Sequence, residues 1–179
     1  MSRGGRQLLL LRHAKAVTGE PGMTDFARPL ADRGRKAAAR MGRYLAEQNL
    51  APDLVLCSPA RRTRETWEIA APALPPATTR FVDDLYDFGD GETLLAVIRR
   101  DGGGASRILL VGHNPAIQSL ALLLSGKPET SLKRQMAEKY PTAGLALLDF
   151  ATGDWASMAA GSARLTAFVR PRDLMQDET

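Results

Sequence analysis

Short, uninterrupted apolar segments recur along this chain of 179 residues, and helix-like segments separate them. The clearest apolar segments are Gln7–Leu11, Leu54–Cys57 and Arg107–Val111, and helices are predicted over residues 32–49 and 59–71. Strands that are apolar at successive positions are buried on both faces, which is typical of parallel sheets covered by helices. The pattern therefore predicts a three-layer α/β/α fold with a mostly parallel sheet.

The same pattern predicts three further strands and two further helices: strands at Arg80–Leu85, Leu145–Phe150 and Arg164–Val169, and helices at Glu92–Arg100 and 115–125. Residues 126–141 are polar, and we expect them to be irregular with one helical turn. A single domain is predicted over residues 7–171. Residues 1–6 and 172–179 are predicted as flexible, frayed ends.

Composition excludes several classes of function. The single cysteine cannot form an internal disulfide, which suits a reducing compartment. The net charge of +4 is dispersed, and the chain has no block of like charges of the kind that binds nucleic acid. Apolar runs are far shorter than the roughly 18–20 residues of a membrane helix. We therefore expect a cytoplasmic protein without nucleic-acid or membrane partners; the oligomeric state is not predicted.

Both histidines of the chain follow a buried type of strand directly. Arg12 and His13 come after the leucine run of the first strand, and His113 comes after Arg107–Val111. In parallel α/β sheets, ligands bind beyond the carboxyl ends of the strands. We therefore predict that these side chains face one crevice.

The strand Leu54–Cys57 leads into a helix start that carries three arginines, and Ser58 is predicted as the helix N-cap. Arg61 and Arg64 each have a glutamate four residues further on, the spacing of an ion pair on a helix surface. Arg62 has a threonine at that spacing, so it is the arginine most available to another partner. The first turn of a helix also attracts anions through its free N–H groups and its dipole.

Two guanidinium groups and two imidazoles in one crevice suit a tetrahedral dianion, because arginine offers forked donors that match phosphate oxygens. The candidate catalytic residues are therefore Arg12, His13, Arg62 and His113. The set is poor for a metal ion, since the arginines oppose a cation and no cluster of cysteines or carboxylates completes a ligand set. We expect neither a metal nor a cofactor.

The segments around these residues resemble the histidine phosphatase superfamily, the phosphoglycerate-mutase-like group, and especially its short SixA-type phosphohistidine phosphatases. "LLRHAKA" resembles the Arg-His-Gly signature of the family, "SPARRTRET" its Ser-Pro-x-x-Arg-x-x-Gln-Thr segment and "VGHNPAI" its second-histidine segment. "RPLADRG" at 28–34 and "KYPTAGLALL" at 139–148 resemble a family helix start and a late strand entry. Ala14 and Ala31 replace the usual glycine and threonine of the family.

The resemblance implies a six-stranded, mostly parallel sheet with one antiparallel strand, in which the three motif-bearing strands are neighbours. It implies that His13 is the nucleophile, that a phosphohistidine intermediate forms, and that Arg12, Arg62 and His113 hold the phosphoryl oxygens. The expected enzyme is a metal-independent phosphatase that acts on phosphohistidine of a protein. The alternatives are a phosphomonoesterase acting on a small phosphorylated molecule and a non-catalytic phosphate-binding module.

A histidine nucleophile must be neutral, and neighbouring arginines disfavour its protonated form. For His13 we expect a backbone carbonyl at the other ring nitrogen, which would set the tautomer. A phosphate ester would also need a general acid, because an alkoxide leaves poorly. Asp87 is the candidate acid, since Leu-Tyr-Asp at this point resembles the Leu-x-Glu of larger family members.

Three further residues are candidates for the phosphate pocket. Arg28 lies in a loop, "TDFARPL", that could fold over the crevice, and Lys15 lies two residues after His13. Asn114 follows the second histidine, and its alternative role is to cap the next helix.

A cysteine phosphatase is an alternative chemistry for this chain, because Cys57 ends a strand before the arginines. That chemistry needs a longer loop between cysteine and arginine than the segment that separates Cys57 from Arg62. We therefore predict that Cys57 is a buried small residue.

Overall fold

The structure, a computed structural model, describes residues 5–151 and 153–176. Within them, six strands form one sheet: β1 (Arg6–Arg12), β2 (Leu54–Cys57), β3 (Thr78–Phe81), β4 (Arg107–Gly112), β5 (Leu145–Phe150) and β6 (Arg164–Val169). The same residues contain six α-helices: α1 (Asp32–Glu47), α2 (Arg61–Ala70), α3 (Glu92–Asp101), α4 (Ala116–Leu124), α5 (Ser131–Glu138) and α6 (Pro171–Met175).

The strand order across the sheet is β3-β2-β4-β1-β5-β6. β2 pairs in parallel with β3 and β4, and β4 pairs in parallel with β1. β5 runs antiparallel to both of its neighbours, β1 and β6, so it is the one strand of opposite direction. The predicted α/β fold is confirmed. Since β2, β4 and β1 are adjacent, the three motif-bearing segments leave the sheet at the same edge.

The leucine run of β1 is buried on both sides of the sheet. Leu8 and Leu10 pack on one face with residues of α3 and α4, and Leu9 and Leu11 pack on the other face with residues of α1 and α2. All four leucines are fully buried. Each contributes about 1.5–3 kcal/mol by leaving water, so β1 is firmly held in the middle of the core. The residues that follow β1 therefore have fixed positions at the sheet edge.

The segment predicted as irregular, 126–141, contains α5. The Thr130 hydroxyl accepts a hydrogen bond from the Lys133 backbone N–H at 3.2 Å and so caps this helix. Its apolar face consists of Leu132, which packs against the core, and Met136, which is buried. The prediction of an irregular segment with one helical turn was wrong because the helical pattern is weak: Leu132 and Met136 are the only large apolar residues of α5. Packing against the core stabilises the helix.

The third strand is shorter at its carboxyl end than the predicted Arg80–Leu85. β3 ends at Phe81, and Asp83–Leu85 form a 3-10 turn. β3 is an edge strand that pairs only with the four residues of β2. The ladder therefore ends where β2 ends, and the last bond runs from the Val82 N–H to the Cys57 carbonyl at 3.0 Å.

Ordered structure extends beyond the predicted domain boundaries. Arg6 is already part of β1, and Pro171–Met175 form α6. Leu174 on this helix is buried against the core face that α1 covers. The prediction of frayed ends is therefore wrong for these residues. Of its remaining residues, Gly5 and Gln176 are exposed, and residues 1–4 and 177–179 lie outside the described residues.

α1 packs directly against the chain that leaves β1, and this contact requires glycine. A Cβ at Gly34 would lie 2.1 Å from the Lys15 carbonyl oxygen. We expect Gly34→Ala to lower the free energy of unfolding by about 1–3 kcal/mol, because the backbone beyond His13 must move. Denaturant unfolding measures the change. Gly104→Ala is the matched control, since a Cβ there meets nothing within 4 Å. Equal stabilities of the two variants would contradict this close packing.

Candidate active site

The end of β1 holds Arg12 and His13 at the sheet edge. The Arg12 N–H donates to the Gly144 carbonyl at 3.1 Å, and the His13 N–H donates to the Gly112 carbonyl at 3.0 Å. The His13 side chain is buried, and its Nδ1 lies 2.7 Å from the Ala14 carbonyl oxygen. Because a carbonyl only accepts, Nδ1 carries the proton and Nε2 keeps its lone pair. The expected backbone carbonyl partner of His13 is confirmed.

His113, at the end of β4, is fixed on both ring nitrogens. Its Nδ1 lies 3.2 Å from Arg62 Nη2, and its Nε2 lies 2.8 Å from Ser58 Oγ. A guanidinium only donates, so Nδ1 accepts and the Nε2–H donates to the serine hydroxyl. Ser58 was predicted as the N-cap of α2, but Ala60 occupies that position. The strand β2 ends so close to β4 that the Ser58 side chain reaches the neighbouring histidine.

Arg62 is a buried cation whose donors converge on the site. Only 2% of its side chain is exposed. Nη1 donates to the Asp25 carbonyl at 2.8 Å, and Nη2 donates to Asp25 Oδ2 at 3.0 Å and to His113. Arg62 therefore connects the helix start of α2, the end of β4 and the loop after β1.

The two neighbouring arginines of α2 lie outside this group. Arg61 forms its predicted ion pair with Glu65, at 3.0 Å between Nε and Oε1. Arg64 was predicted to pair with a glutamate one turn on, but its Nε donates to the Pro59 carbonyl at 2.9 Å. Its guanidinium also lies 3.9 Å from the centre of the Phe81 ring. Helical side chains lean toward the helix N-terminus, which brings the Arg64 guanidinium to these partners rather than to the next turn.

Arg12 adds the second positive charge. Its Nη1 donates to the Tyr140 carbonyl at 2.8 Å, and burial, followed by the charge of Arg62, lowers the pKa of its guanidinium. Among the residues that the structure describes, the Nε atoms of Arg12 and Arg62 are buried without a hydrogen-bond partner. A buried donor without an acceptor costs about 1–3 kcal/mol. Two such donors on two adjacent cations form a site that favours an anion with several oxygens.

The structure thus brings the four predicted side chains together. The rings of His13 and His113 lie 5.4 Å apart between centroids, at an interplanar angle of 52°. Burial, together with repulsion from Arg62 and Arg12, lowers the pKa of His13 to about 4 and that of His113 to about 3. Both imidazoles are therefore neutral at pH 7, with the Nε2 of His13 available as a nucleophile.

These pKa values predict a titration that NMR can follow directly, since the chain has only two histidines. Neither ring signal is expected to titrate near 6.5, the value of an unperturbed histidine. The midpoints should instead lie near 4 for His13 and near 3 for His113. The unfolded chain then binds more protons below about pH 6.5, so the free energy of unfolding must fall as the pH drops from there toward 4. A ring that titrates near pH 6.5 would contradict its burial beside the arginines.

A loop that contains a 3-10 turn, Asp25–Ala27, covers part of the site. Asp25 binds Arg62 from this loop and also accepts from the Tyr86 hydroxyl, at 2.5 Å, and from Arg28 Nη2, at 2.9 Å. The hydrogen bond from Tyr86, followed by those from Arg28 and Arg62, holds the pKa of the Asp25 carboxyl well below its usual range. Asp25 is therefore an anion at neutral pH, and it orients two arginines.

Two of the predicted pocket residues, Arg28 and Asn114, lie beside the two histidines and two arginines of the site. Arg28 donates Nη1 to the Val17 carbonyl at 3.0 Å, and its positive charge contributes to the lowered pKa of His13. The Asn114 amide lies 3.3 Å from the Tyr140 carbonyl, the same oxygen that holds Arg12. Asn114 Oδ1 also accepts from the backbone N–H of the fourth residue on, at the start of α4.

The other two predicted residues point elsewhere. Lys15 is exposed and lines a separate cavity of about 510 Å³, together with basic residues of α1 and α6. The Asp87 carboxylate accepts from the Gly89 N–H at 3.1 Å within its own turn. Neither side chain contacts the two histidines.

Three contributors were missed by the sequence reasoning. Ser58 and Asp25 hold His113 and Arg62, and Thr66 Oγ1 accepts from the Ala14 N–H at 3.0 Å, which ties α2 to the loop after His13. For Asp25 the sequence held one indication, because this residue lies three positions before Arg28 in the loop predicted to fold over the crevice. The other two are small polar residues whose local sequence suggests only helix capping or a solvated surface.

Cys57 is fully buried, and burial raises the pKa of its thiol. The prediction of a buried small residue is confirmed. Within residues 5–151 and 153–176, no three histidine, cysteine or acidic side chains are grouped as metal ligands. No helix of this part of the chain has the length and apolar character of a membrane span.

Comparison with known proteins assigns the family. The family model described as histidine phosphatase superfamily (branch 1) matches residues 8–97. The chain belongs to the histidine phosphatase superfamily. The chain is 38% identical over 167 residues to an uncharacterized protein of Mycobacterium tuberculosis (strain ATCC 25618 / H37Rv). This match covers 90% of the chain and 100% of the relative.

Solved structures of the superfamily share the fold over nearly the whole chain. One named as a phosphohistidine phosphatase, SixA, from Nakamurella multipartitia has a TM-score of 0.83 and 30% identity, and the match covers 96% of this chain and 99% of that one. Another of the same name, from Agrobacterium tumefaciens, has a TM-score of 0.76 and 29% identity, with coverages of 93% and 98%. The predicted family and its SixA likeness are confirmed. Family membership supports a phosphatase that works through a histidine.

Proposed function

We propose that this protein is a phosphatase in which His13 Nε2 attacks phosphorus and carries the phosphoryl group as a covalent intermediate. The bond between Nε2 and phosphorus forms as the bond to the leaving group breaks, and the leaving atom takes the electron pair. Water then attacks phosphorus, which frees His13 and releases inorganic phosphate. The observation that carries this proposal is the neutral imidazole of His13, fixed at Nδ1 by the Ala14 carbonyl and set among arginines.

The remaining residues of the site supply charge rather than covalent chemistry. Phosphoryl transfer depends mainly on positioning and on stabilising charge at the phosphoryl oxygens. Arg12 and Arg62 are the donors suited to those oxygens, and each charged hydrogen bond contributes about 1.5–3 kcal/mol. His113 completes the group beside Arg62. We propose that these guanidinium groups provide the positive charge that metal ions provide in other phosphatases, so that turnover should withstand chelators.

We propose phosphohistidine on a protein as the substrate. Neither nearby carboxylate is placed to serve as a general acid: Asp25 is held as an anion by Tyr86, Arg28 and Arg62, and the Asp87 carboxylate is bonded to Gly89 within its own turn. An alkoxide leaving group needs a general acid, whereas the imidazole of phosphohistidine leaves as a neutral molecule once its distal nitrogen is protonated. The relatives named as SixA phosphohistidine phosphatases support the same choice.

The test combines trapping with a substrate panel. A peptide carrying ³²P-labelled phosphohistidine is mixed with the enzyme and quenched within milliseconds in alkali. We expect label on the enzyme that is stable to alkali, labile to acid and located on His13 by peptide mapping. kcat/KM should also be higher for this peptide than for a phosphoserine peptide, sugar phosphates or nucleotides. Label elsewhere would overturn the nucleophile, and a clear preference for a small phosphate ester would overturn the substrate.

A further inference from the structure

Three aromatic side chains, Phe26, Tyr86 and Phe88, form an aromatic rim at the site. Phe26 and Phe88 expose 42% and 45% of their surfaces, although phenylalanine favours burial. The rings contact one another edge to face: the centroid of Tyr86 lies 5.1 Å from that of Phe26 and 5.1 Å from that of Phe88. The rim is therefore a continuous aromatic surface that faces solvent.

The aromatic rim continues into the histidines of the site. The ring centroid of Phe88 lies 4.9 Å from that of His113, and the centroid of Tyr86 lies 5.3 Å from it. The His113 ring in turn lies 5.4 Å from the ring of His13. A row of aromatic rings thus leads from the proposed nucleophile to the protein surface.

The rim is held in place by polar contacts with the site. The Tyr86 hydroxyl donates to Asp25, the carboxylate that orients Arg62. Asp87 accepts from the Gly89 N–H and so shapes the turn that carries Phe88. Two segments far apart in the sequence therefore converge to place the three rings beside the phosphate donors, which chance exposure of single phenylalanines would not produce.

Phe81 is also exposed, but unlike the phenylalanines of the aromatic rim it has a charged partner over its ring. Phe81 exposes 39% of its surface, but the guanidinium of Arg64 lies over its ring at 3.9 Å. Among the residues that the structure describes, no cation lies over the rings of the aromatic rim. The exposed faces of Phe26 and Phe88 are thus available to another flat ring, and such aromatic pairs add attraction beyond the burial of area.

We propose that the aromatic rim is a leaving-group subsite, which stacks a flat ring bonded to the phosphorus of the substrate. This inference rests on the proposed function and specifies how the site recognises the group that departs. An in-line attack sends the leaving group away from His13. The rim reaches the site through His113 rather than through His13, so it lies where a departing ring can be held. The imidazole of phosphohistidine, bonded directly to phosphorus, is the ring placed closest to the phosphoryl group.

Departure of the ring from phosphorus requires no acidic side chain of the protein. The bond between phosphorus and the substrate nitrogen breaks as the bond from His13 Nε2 forms, and the substrate nitrogen takes the electron pair. The distal nitrogen of the departing ring already carries a proton taken from water, so neutral imidazole leaves. Stacking holds that ring flat during the transfer, and this contribution is absent for a leaving group without a ring.

The test compares two small substrates with a phosphorus–nitrogen bond, phosphoimidazole, which has a ring, and phosphoramidate, which does not. In Phe88→Ala and Phe26→Ala the ratio of kcat/KM for phosphoimidazole to that for phosphoramidate should fall about 3–10-fold. Phe88→Leu, which keeps apolar volume but loses the flat face, should also lower the ratio and guards against a folding defect. Phe81→Ala is the matched control, and its ratio should equal that of the wild type.

The outcomes separate this inference from the proposed function. If the rim variants keep the wild-type ratio, or lose activity toward both substrates equally, the rim is not a leaving-group subsite. Trapping of phosphate on His13 in the wild-type enzyme is measured in parallel. If phosphate is trapped on His13 but the rim variants keep the wild-type ratio of kcat/KM values, only the leaving-group subsite is contradicted. If no label appears on His13, the proposed function itself is contradicted.

Discussion

Replacing His13 with alanine is expected to lower kcat/KM for phosphohistidine by about 10⁴-fold or more, the scale seen when a nucleophile is removed. His113, the second imidazole of the site, is not free to take over the attack. Both nitrogens of His113 are engaged, Nδ1 with Arg62 and Nε2 with Ser58. Single-turnover kinetics with the labelled peptide measures the loss, and the trapped intermediate should disappear with it.

Binding of phosphate provides the control for this variant. Arg12 and Arg62 remain in His13→Ala, so inorganic phosphate should still bind with an affinity within about tenfold of the wild type, a difference of about 1.4 kcal/mol. Calorimetry measures that affinity, and circular dichroism checks the fold. If the variant turned over substrate at the wild-type rate, His13 would not be the nucleophile.

Arg62→Ala is expected to lower kcat/KM by about 10²–10⁴-fold, because it removes two charged hydrogen bonds of about 1.5–3 kcal/mol each. The change also frees His113 Nδ1 and leaves Asp25 without its partner on α2. Steady-state kinetics measures the loss. Arg62→Lys should restore part of it, since lysine keeps the charge but cannot offer two parallel donors.

The adjacent arginine supplies a matched control. Arg61 has the same chemistry one residue earlier, but its side chain is 57% exposed and pairs with Glu65. Arg61→Ala should therefore change kcat/KM by less than about twofold, since exposed ion pairs contribute about 0–1 kcal/mol. Equal losses for the two variants would mean that the effect comes from the general positive charge of α2 and not from the position of Arg62.

Much of the fold was readable because buried strands have a strong local signal. The bounds predicted for β2, β5 and β6 agree with the structure, and Arg12, His13 and His113 lie where their strands end. The sheet order that brings these ends together followed from the family resemblance. Arg62 was selected because its neighbours had glutamates at pairing distance, and Arg61 does pair in that way.

The features that the sequence did not predict depend on contacts between distant segments. Ser58 has the sequence of a helix cap, yet its hydroxyl contacts His113, more than fifty residues away. Asp25 and Tyr86 meet across 61 residues, and nothing in either segment alone predicts that contact. α5 forms because Met136 is buried in the core, although the helical pattern of this segment is weak. Partners like these are set by packing, which local patterns do not contain.

The sequence by itself determined that this chain builds an α/β sheet with two histidines and an arginine-rich helix start beyond its strands. Continuous leucines can be buried only on both faces of a covered sheet, so the polar residues after them must emerge at its edge. Only the tertiary structure decided the state of those residues. Burial and the adjoining arginines make both imidazoles neutral, Asp25 orients Arg62, and an aromatic rim stands beside the phosphate donors. These properties arise from distances between segments and from the exclusion of water, and both exist only once the chain has folded.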